Sequence, residues 1–455
     1  MTTSASRGLT IAAVATGVAI GFAYALSPLT VWFFVAAPAL VAWAIRDLHG
    51  GERRWILGVL VIAIILRVAA MAGLFLSVDH TQVPFGSFFG DEEYFLRRSM
   101  WLRNVAFGLP VHRADLIYAF DDYSYTVYLY VLSFLQALAG FAPYGTHLFG
   151  CALYLAMCIV LFRIVRARFG RVAAAVGLML LLFLPSLFAW SISALKEPLY
   201  FLLAAMSVWL VDWAARVPRA TTRAIAVVAL AGVGIALQAI REGGLLMFAT
   251  GVVGGAALTY VLRRPRLAVA TAVVAPAVIV ALLLQPAFQV RTWSTVKEFA
   301  RIHVGHVTTP GYTYKLLDAR LYDDVDLRSI TIPEELRFVG HAFTAYVVQP
   351  TPRSIQSRAT LAYLPEQVVW YGLVLLVPVG IVAAARRDLL LTSVLLMYAL
   401  AAAVMVALTG GNVGTLVRHR GLALPYLVWF SGLGASRLVA SITRARASNP
   451  EDIAS

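Results

Sequence analysis

Long apolar runs, separated by short polar segments, recur along almost the whole chain. The first three cover residues 9–26, 30–45 and 55–77. In helical conformation, a run of about 20 apolar residues crosses the roughly 30 Å of hydrocarbon in a bilayer. The pattern therefore predicts an all-α polytopic membrane protein.

The apolar run at residues 125–141 decides the topology. If it crosses the membrane, the arginines at 163–171 lie outside and every later loop is inverted. If it is re-entrant or lies at the interface, all arginine-rich loops share one side, as the positive-inside rule requires. We therefore predict that this run does not cross, and its tyrosines also suit the membrane interface.

Nine further crossings complete a predicted bundle of about 12 transmembrane helices with both termini inside. They are expected near residues 146–163, 172–190, 198–214, 222–240, 243–262, 267–284, 366–385, 388–408 and 422–438. The predicted layout is an N-terminal transmembrane core at 1–284 with an acidic outer loop at 78–145, an outer-face loop region at 285–365, and C-terminal transmembrane helices with a cytosolic tail at 366–455.

Composition and charge agree with this orientation. A mean hydropathy of +0.81 excludes an ordinary soluble protein. The formal net charge is +14, and the predicted inner segments hold nineteen arginines and six acidic residues, a net charge of +13. Almost the whole excess then faces anionic lipid, so it indicates membrane orientation and leaves no basic patch for nucleic acid.

An acidic cluster, Gly90-Asp91-Glu92-Glu93-Tyr94, follows the third apolar run. Three consecutive carboxylates are costly in so apolar a chain unless water or a cation meets them. They are also compatible with solvated acids at a helix N-terminus, which the helix dipole favours.

Three predicted outer turns bring cations to the same side of the membrane: Lys196-Glu197, Arg241-Glu242 and Arg418-His419-Arg420. Each has a structural alternative, namely an ion pair at a helix end for the first two and anchoring to lipid headgroups for the third. Carboxylates and cations in one wet cavity suit transfer from a phosphate-linked donor. The carboxylate takes the acceptor's proton, and the cations hold the phosphate and stabilise the charge of the leaving group.

The acidic cluster, placed in the first large outer segment, resembles the acidic motif of the GT-C glycosyltransferases, and most closely the bacterial aminoarabinose and protein-mannosyl transferase-like branch. Residues 123–140 resemble that family's tyrosine-rich juxtamembrane helix, and 147–170 its next crossing with a basic inner end. The segment 417–420 resembles its late arginine-bearing motif. The chain departs from the family at 121–124, where Asp-Asp-Tyr-Ser replaces the usual paired prolines.

The resemblance implies a membrane glycosyltransferase that moves a sugar from a polyprenyl-phosphate-linked donor to a glycan, lipid or protein acceptor. It implies a site on the outer face of the bacterial cell (inner) membrane, with Asp91 and Glu92 as catalytic carboxylates. Members differ in their use of a divalent metal such as Mg or Mn, so metal dependence stays open. The remaining candidates are Lys196, Arg241, Arg418 and Arg420 for the donor phosphate, with Glu93, Tyr94, Glu242 and His419 in support.

Two other functions compete with this interpretation. A transporter or flippase for lipid-linked glycans would have charges within its helices and symmetric halves, but only Arg67 lies deep in a predicted crossing. An envelope glycan polymerase would also use outer arginines, and the early Asp-Glu motif favours GT-C over it.

Two further groups are weaker metal candidates. His303 and His306 are expected to be loop histidines, and Asp323, Asp324 and Asp326 a solvated acidic loop.

Overall fold

A computed structural model describes residues 2–83, 85–121, 126–309, 311–323, 327–352, 361 and 363–447. Across these residues the chain is helical and contains no β-strand; an isolated bridge pairs Thr313 with Asn412. The prediction of an all-α protein is confirmed for this part of the chain.

The helices, numbered in chain order, have the following bounds: α1 Thr2–Leu26, α2 Pro28–Ile45, α3 Gly50–Ser77, α4 Gly90–Ala106, α5 Arg113–Ala119, α6 Tyr128–Ala139, α7 Pro143–Phe169, α8 Arg171–Phe183, α9 Pro185–Ser191, α10 Glu197–Arg216, α11 Ala220–Ile240, α12 Gly244–Ala249, α13 Gly255–Leu262, α14 Pro265–Leu283, α15 Pro286–Thr308, α16 Arg320–Asp323, α17 Ile332–Val348, α18 Leu364–Ala385, α19 Leu389–Thr409, α20 Val413–Arg420 and α21 Leu424–Ala447. A π-helical turn, Thr250–Gly254, joins α12 to α13.

Among the described residues, nine helices are long and apolar enough to cross a membrane, or eleven if two bent helix pairs each count as one span. The bent pairs are α8 with α9, at 67°, and α20 with the following helix, at 68°. Pro185 and Pro425 stand at these breaks, where proline lacks the N–H that continues a helix and restricts the preceding residue. The multi-pass prediction is confirmed, and the number twelve stays a prediction.

The segment that was predicted not to cross forms α6, which is only 12 residues long. At 1.5 Å per residue it spans about 18 Å, well short of the hydrocarbon thickness. Its first residue, Tyr128, is buried and donates a hydrogen bond to the carbonyl oxygen of Ala194 at 2.9 Å. The helix is therefore held through its tyrosine end by protein contacts.

The region predicted to be an outer-face loop, residues 285–365, contains two long helices, α15 of 23 residues and α17 of 17 residues. The carboxylate of Glu334 accepts hydrogen bonds from the backbone and hydroxyl of Thr331, which caps α17. The prediction that His303 and His306 are loop histidines is wrong, because both lie on α15. Hydropathy alone does not predict α15, because this helix contains both polar and apolar residues.

The chain forms two compact units. The first contains residues 1–163, 188–209 and 227–245; the second contains residues 164–187, 210–226 and 246–455. The chain passes between the units several times, so neither coincides with one predicted segment. The boundaries predicted near 285 and 366 stay predictions.

In the first unit, the buried cation Arg67 of α3 is held by protein groups. Its Nε donates to the hydroxyl of Ser191 at 2.7 Å and its Nη1 to the carbonyl of Ala63 at 3.1 Å. The guanidinium also lies over the rings of Tyr154 and Phe188. These hydrogen bonds and ring contacts offset the cost of burying a cation in an apolar helix.

In the second unit, an ion network links three helix ends that carry predicted inner arginines. Arg168 pairs with Asp212 at 2.8 Å and approaches Asp388 at 3.8 Å, and Arg216 pairs with both acids. Asp388 also caps α19 by accepting from the backbone of Leu391.

Two helices of the second unit, α18 and α21, approach so closely at Gly380 that a side chain there cannot fit. A Cβ on Gly380 would lie 1.9 Å from the carbonyl oxygen of Phe430. We expect Gly380→Ala to destabilise the protein by about 1–3 kcal/mol, since the helices must separate. Thermal unfolding in detergent measures this. Gly372→Ala on the same helix is the matched control, because no atom lies within 4 Å of its Cβ; equal melting temperatures for the two variants would contradict the packing.

Candidate functional site

Glu92, in the first turn of α4, is fully buried and organises the acidic cluster. Its Oε2 accepts hydrogen bonds from the backbone N–H groups of Phe88 at 2.7 Å and Phe89 at 3.3 Å. Three residues into a helix, a glutamate can reach back in this way to satisfy donors that the helix leaves open. Glu92 therefore fixes how the chain enters α4.

The same carboxylate joins α4 to two other parts of the first unit. Oε1 accepts from the backbone N–H of Ala194 at 2.9 Å, and Oε2 lies 3.2 Å from Nε2 of His147 on α7. Glu92 thereby holds the start of α4, the start of α7 and the 192–196 turn in one arrangement. A buried carboxylate with four donors is a rigid anchor.

His147 was not predicted, although it completes this anchor. Its Nδ1 lies 2.8 Å from the carbonyl oxygen of Pro143, which only accepts, so Nδ1 carries hydrogen. Its Nε2 faces the carboxylate of Glu92 at 3.2 Å. The ring of Phe88 packs 4.1 Å from the imidazole. The feature of the sequence that could have identified His147 is its position at the outer end of a predicted crossing.

Asp91 is exposed, in contrast to Glu92 beside it. Successive helical residues point about 100° apart, so one carboxylate enters the protein while its neighbour faces solvent. The carboxylate of Asp91 interacts electrostatically with the ammonium group of Lys196. Asp91 is thus accessible to an incoming molecule from solvent.

Lys196 follows the 192–196 turn that Glu92 holds in place, and its ammonium lies 5.5 Å from the centre of the Phe95 ring. Burial lowers the pKa of this ammonium below its usual value of 10.5; the charge of Glu197 opposes the shift, Arg241 adds to it, and Asp91 opposes it. Four charged groups therefore meet within electrostatic range of one another.

Arg241 pairs with Glu197 rather than with its neighbour Glu242. Its Nη1 lies 3.3 Å from Oε1 of Glu197, the first residue of α10. The structural alternative for Arg241, an ion pair, is therefore formed with Glu197. Arg241 directly follows α11, whereas the next residue, Glu242, is exposed to solvent.

The residues at the start of α6 form hydrogen bonds with the end of α11, directly before Arg241. The hydroxyl of Thr126 donates to the carbonyl oxygen of Ile240 at 2.6 Å. The backbone N–H of Val127 donates to the carbonyl oxygen of Ala239 at 2.9 Å. Tyr128 holds Ala194, as described above. Asp91, Glu92, Lys196 and Arg241, which sequence reasoning had grouped, are brought together in the first unit.

Glu93 and Tyr94 take part in contacts within α4. Glu93 pairs with Arg97 and accepts from the hydroxyl of Ser87 at 3.0 Å. The hydroxyl of Tyr94 accepts from Arg98, a buried cation that also donates to the carbonyls of Ala119 and Asp121. Both residues support the helix that carries Asp91.

Arg418, His419 and Arg420 belong to the second unit. They lie on helix α20, and not in a turn as predicted, because the chain turns helical directly after the cap at Asn412. Arg420 is only 3% exposed; its Nη1 donates to the side chain of Gln367 at 2.7 Å and its Nη2 to the carbonyls of Tyr346 and Gln349. Arg418 and His419 are half-buried.

His303 is buried where α15 meets the end of α19 in the second unit. Its Nδ1 donates to the carbonyl of Gly410 at 2.9 Å, which leaves Nε2 to accept from the hydroxyl of Tyr322 at 3.2 Å. That hydroxyl already accepts from the backbone of Leu316 and Leu317, so its own hydrogen points to the imidazole. Burial lowers the pKa of His303 to about 4.

This environment predicts a loss of stability in acid. The neutral imidazole is favoured in the folded state, because its pKa there is about 4 against a reference of 6.5. Its contribution is present above about pH 6.5 and is lost as the pH falls towards 4, by roughly 3 kcal/mol. Unfolding measured between pH 7 and 4 should show a shallower slope for His303→Gln than for the wild type. The exposed His112→Gln is the control, and parallel slopes for all three proteins would contradict the assignment.

Within the described residues, no group of three His, Cys, Asp or Glu side chains could hold a metal ion. Asp324 and Asp326 of the predicted acidic loop lie outside those residues. Cys151 and Cys158 are buried free thiols on α7.

The first unit therefore presents an exposed carboxylate within electrostatic range of a half-buried ammonium and a guanidinium. The carboxylate can take a proton from a hydroxyl, and the cations can hold and stabilise phosphate. Comparisons with protein-family models, with curated proteins and with solved structures found no match.

Proposed function

We propose that the chain is an integral membrane glycosyltransferase of the GT-C type, which moves a sugar from a polyprenyl-phosphate donor to an acceptor on the outer face of the bacterial cell membrane. The observation that carries the proposal is the electrostatic interaction of exposed Asp91 with Lys196, which is far away in sequence. The buried carboxylate of Glu92 brings the two together, because it accepts a hydrogen bond from Ala194 in the turn before Lys196. An ammonium group whose pKa is lowered by burial and which has charged neighbours is typical of functional sites.

In the proposed reaction, an acceptor hydroxyl attacks the anomeric carbon of the donor sugar. The bond from that carbon to the phosphate oxygen breaks, and the electron pair leaves with the polyprenyl phosphate. Asp91 takes the hydroxyl proton, and Lys196 and Arg241 stabilise the negative charge that develops on the phosphate. Glu92 and His147 act as positioning residues, because their contacts are with the protein.

The membrane supplies the setting for a lipid-linked donor. Several apolar helices can span the bilayer, so the polyprenyl tail can lie among lipids while the phosphate reaches the cations. By the positive-inside rule, the arginine-rich segments favour cytosolic termini and an acidic cluster on the outer side. The family resemblance assigns Arg418 and Arg420 to the donor phosphate as well, but the proposal rests on the first unit alone.

The test is transfer by the purified protein in lipid nanodiscs. The donors are farnesyl-phosphate esters of radiolabelled mannose, glucose, galactose and arabinose, and an envelope extract provides glycan, lipid and protein acceptors. We expect label to move from at least one donor to an acceptor, with release of farnesyl phosphate. Absence of transfer from every donor would overturn the proposal.

A further inference from the structure

Glu197 has one carboxylate oxygen that no hydrogen-bond donor satisfies in the described part of the chain. The side chain is buried, with 7% of the residue exposed. Oε1 faces Arg241 at 3.3 Å, whereas Oε2 is buried and has no partner. A buried carboxylate oxygen without a donor costs free energy, and most such atoms in proteins are satisfied.

The surroundings of this oxygen restrict what could satisfy it. The ammonium of Lys196 interacts with Glu197, Arg241 and Asp91, so the oxygen belongs to the proposed reaction site. In that site Lys196 and Arg241 are assigned to a phosphate. A ligand group that meets Oε2 must therefore donate a hydrogen bond and lie next to a phosphate.

We infer that Oε2 of Glu197 accepts a hydrogen bond from the 2-hydroxyl of the donor sugar, an inference that rests on the proposed function. In a sugar linked to phosphate through its anomeric carbon, the 2-hydroxyl is on the adjacent carbon and is the sugar hydroxyl nearest the phosphate. A second cationic group is a poorer match, because Lys196 and Arg241 would repel it. Glu197 is thus a specificity residue that selects donors with a 2-hydroxyl.

Glu197 would also act during the reaction without forming or breaking a bond. As the phosphate leaves, positive charge develops on the sugar ring, and the 2-hydroxyl becomes a stronger donor. Hydrogen bonds to a 2-hydroxyl strengthen in this way in glycoside hydrolysis. Loss of the contact should therefore lower kcat as well as raise KM.

The experiment compares each transferred farnesyl-phosphate sugar with its 2-deoxy analogue, in the wild type and in Glu197→Gln. In the wild type, we expect kcat/KM to fall about 100-fold for the 2-deoxy donor, the usual size for one hydrogen bond to a charged group. Glu197→Gln should lower kcat/KM for the 2-hydroxy donor by a similar factor and change the 2-deoxy rate less than about 3-fold. The amide keeps an oxygen for Arg241.

The possible outcomes distinguish the role of Glu197 from the transferase proposal. Equal wild-type rates with the 2-hydroxy and 2-deoxy donors would overturn the inference while leaving the transferase proposal intact, and this comparison needs no variant. Equal losses with both donors in Glu197→Gln would also overturn it, since Glu197 would then act only through Arg241. Absence of transfer from every donor would overturn the transferase proposal itself.

Discussion

Replacing Asp91 by asparagine should lower the rate of sugar transfer by about 10²- to 10⁴-fold, the range that general base catalysis contributes. Asparagine has the shape of the carboxylate but cannot accept a proton. Asp91 is exposed, so the substitution should leave folding intact and act on kcat. Initial rates of farnesyl phosphate release measure the effect, with the melting temperature recorded beside them.

The matched control for Asp91→Asn is Glu242→Gln, which neutralises another exposed acid in a turn of the first unit. Glu242 has no place in the proposed reaction, so its variant should transfer at the wild-type rate. If Asp91→Asn and Glu242→Gln transferred equally well, Asp91 would not be the base.

Replacing Glu92 by alanine should destabilise the protein by about 3–5 kcal/mol and abolish transfer. The change leaves three buried backbone donors and the His147 imidazole without their acceptor. Because Glu92 holds both α4 and the 192–196 turn, Asp91 and Lys196 should also separate. Urea unfolding in detergent measures the stability, and the transfer assay measures the consequence.

Glu93→Ala is the control for Glu92→Ala, since it removes the adjacent carboxylate in the same helical turn. Glu93 pairs with Arg97, whose side chain is 42% exposed, and exposed ion pairs contribute about 0–1 kcal/mol. The two variants should therefore differ by several kcal/mol. Similar stabilities would show that Glu92 does not anchor the site.

The membrane helices could be predicted from the sequence because hydropathy over a helical length reports directly on the bilayer. The same property did not predict the mixed helix α15, which carries His303 and Lys297. It also did not predict the bend at Pro185, since both halves continue one apolar run. The bend at Pro425 was missed because the half before it, α20, ends in three basic residues and resembles a polar turn. Helices that are defined by packing against protein leave a weaker pattern than helices that face lipid.

The sequence grouped Asp91, Glu92, Lys196 and Arg241, but it did not predict their contacts. The cluster at Asp91 and Glu92 stands out by charge, yet only the fold shows which of the two carboxylates is buried. The partners of Glu92 are His147 and Ala194, and the partner of Arg241 is Glu197. No sequence periodicity connects residues in different helices, so these pairings needed the structure.

The covalent fate of a lipid-linked sugar tests the central claim most directly. Wild-type protein in sealed vesicles, with radiolabelled farnesyl-phosphate sugar and acceptor on the same outer side, should transfer label from lipid to acceptor and release farnesyl phosphate. Asp91→Asn should leave the donor intact. The contradicting result is a wild-type protein that carries the donor across the vesicle membrane with its sugar–phosphate bond unbroken, since the chain would then be a transporter.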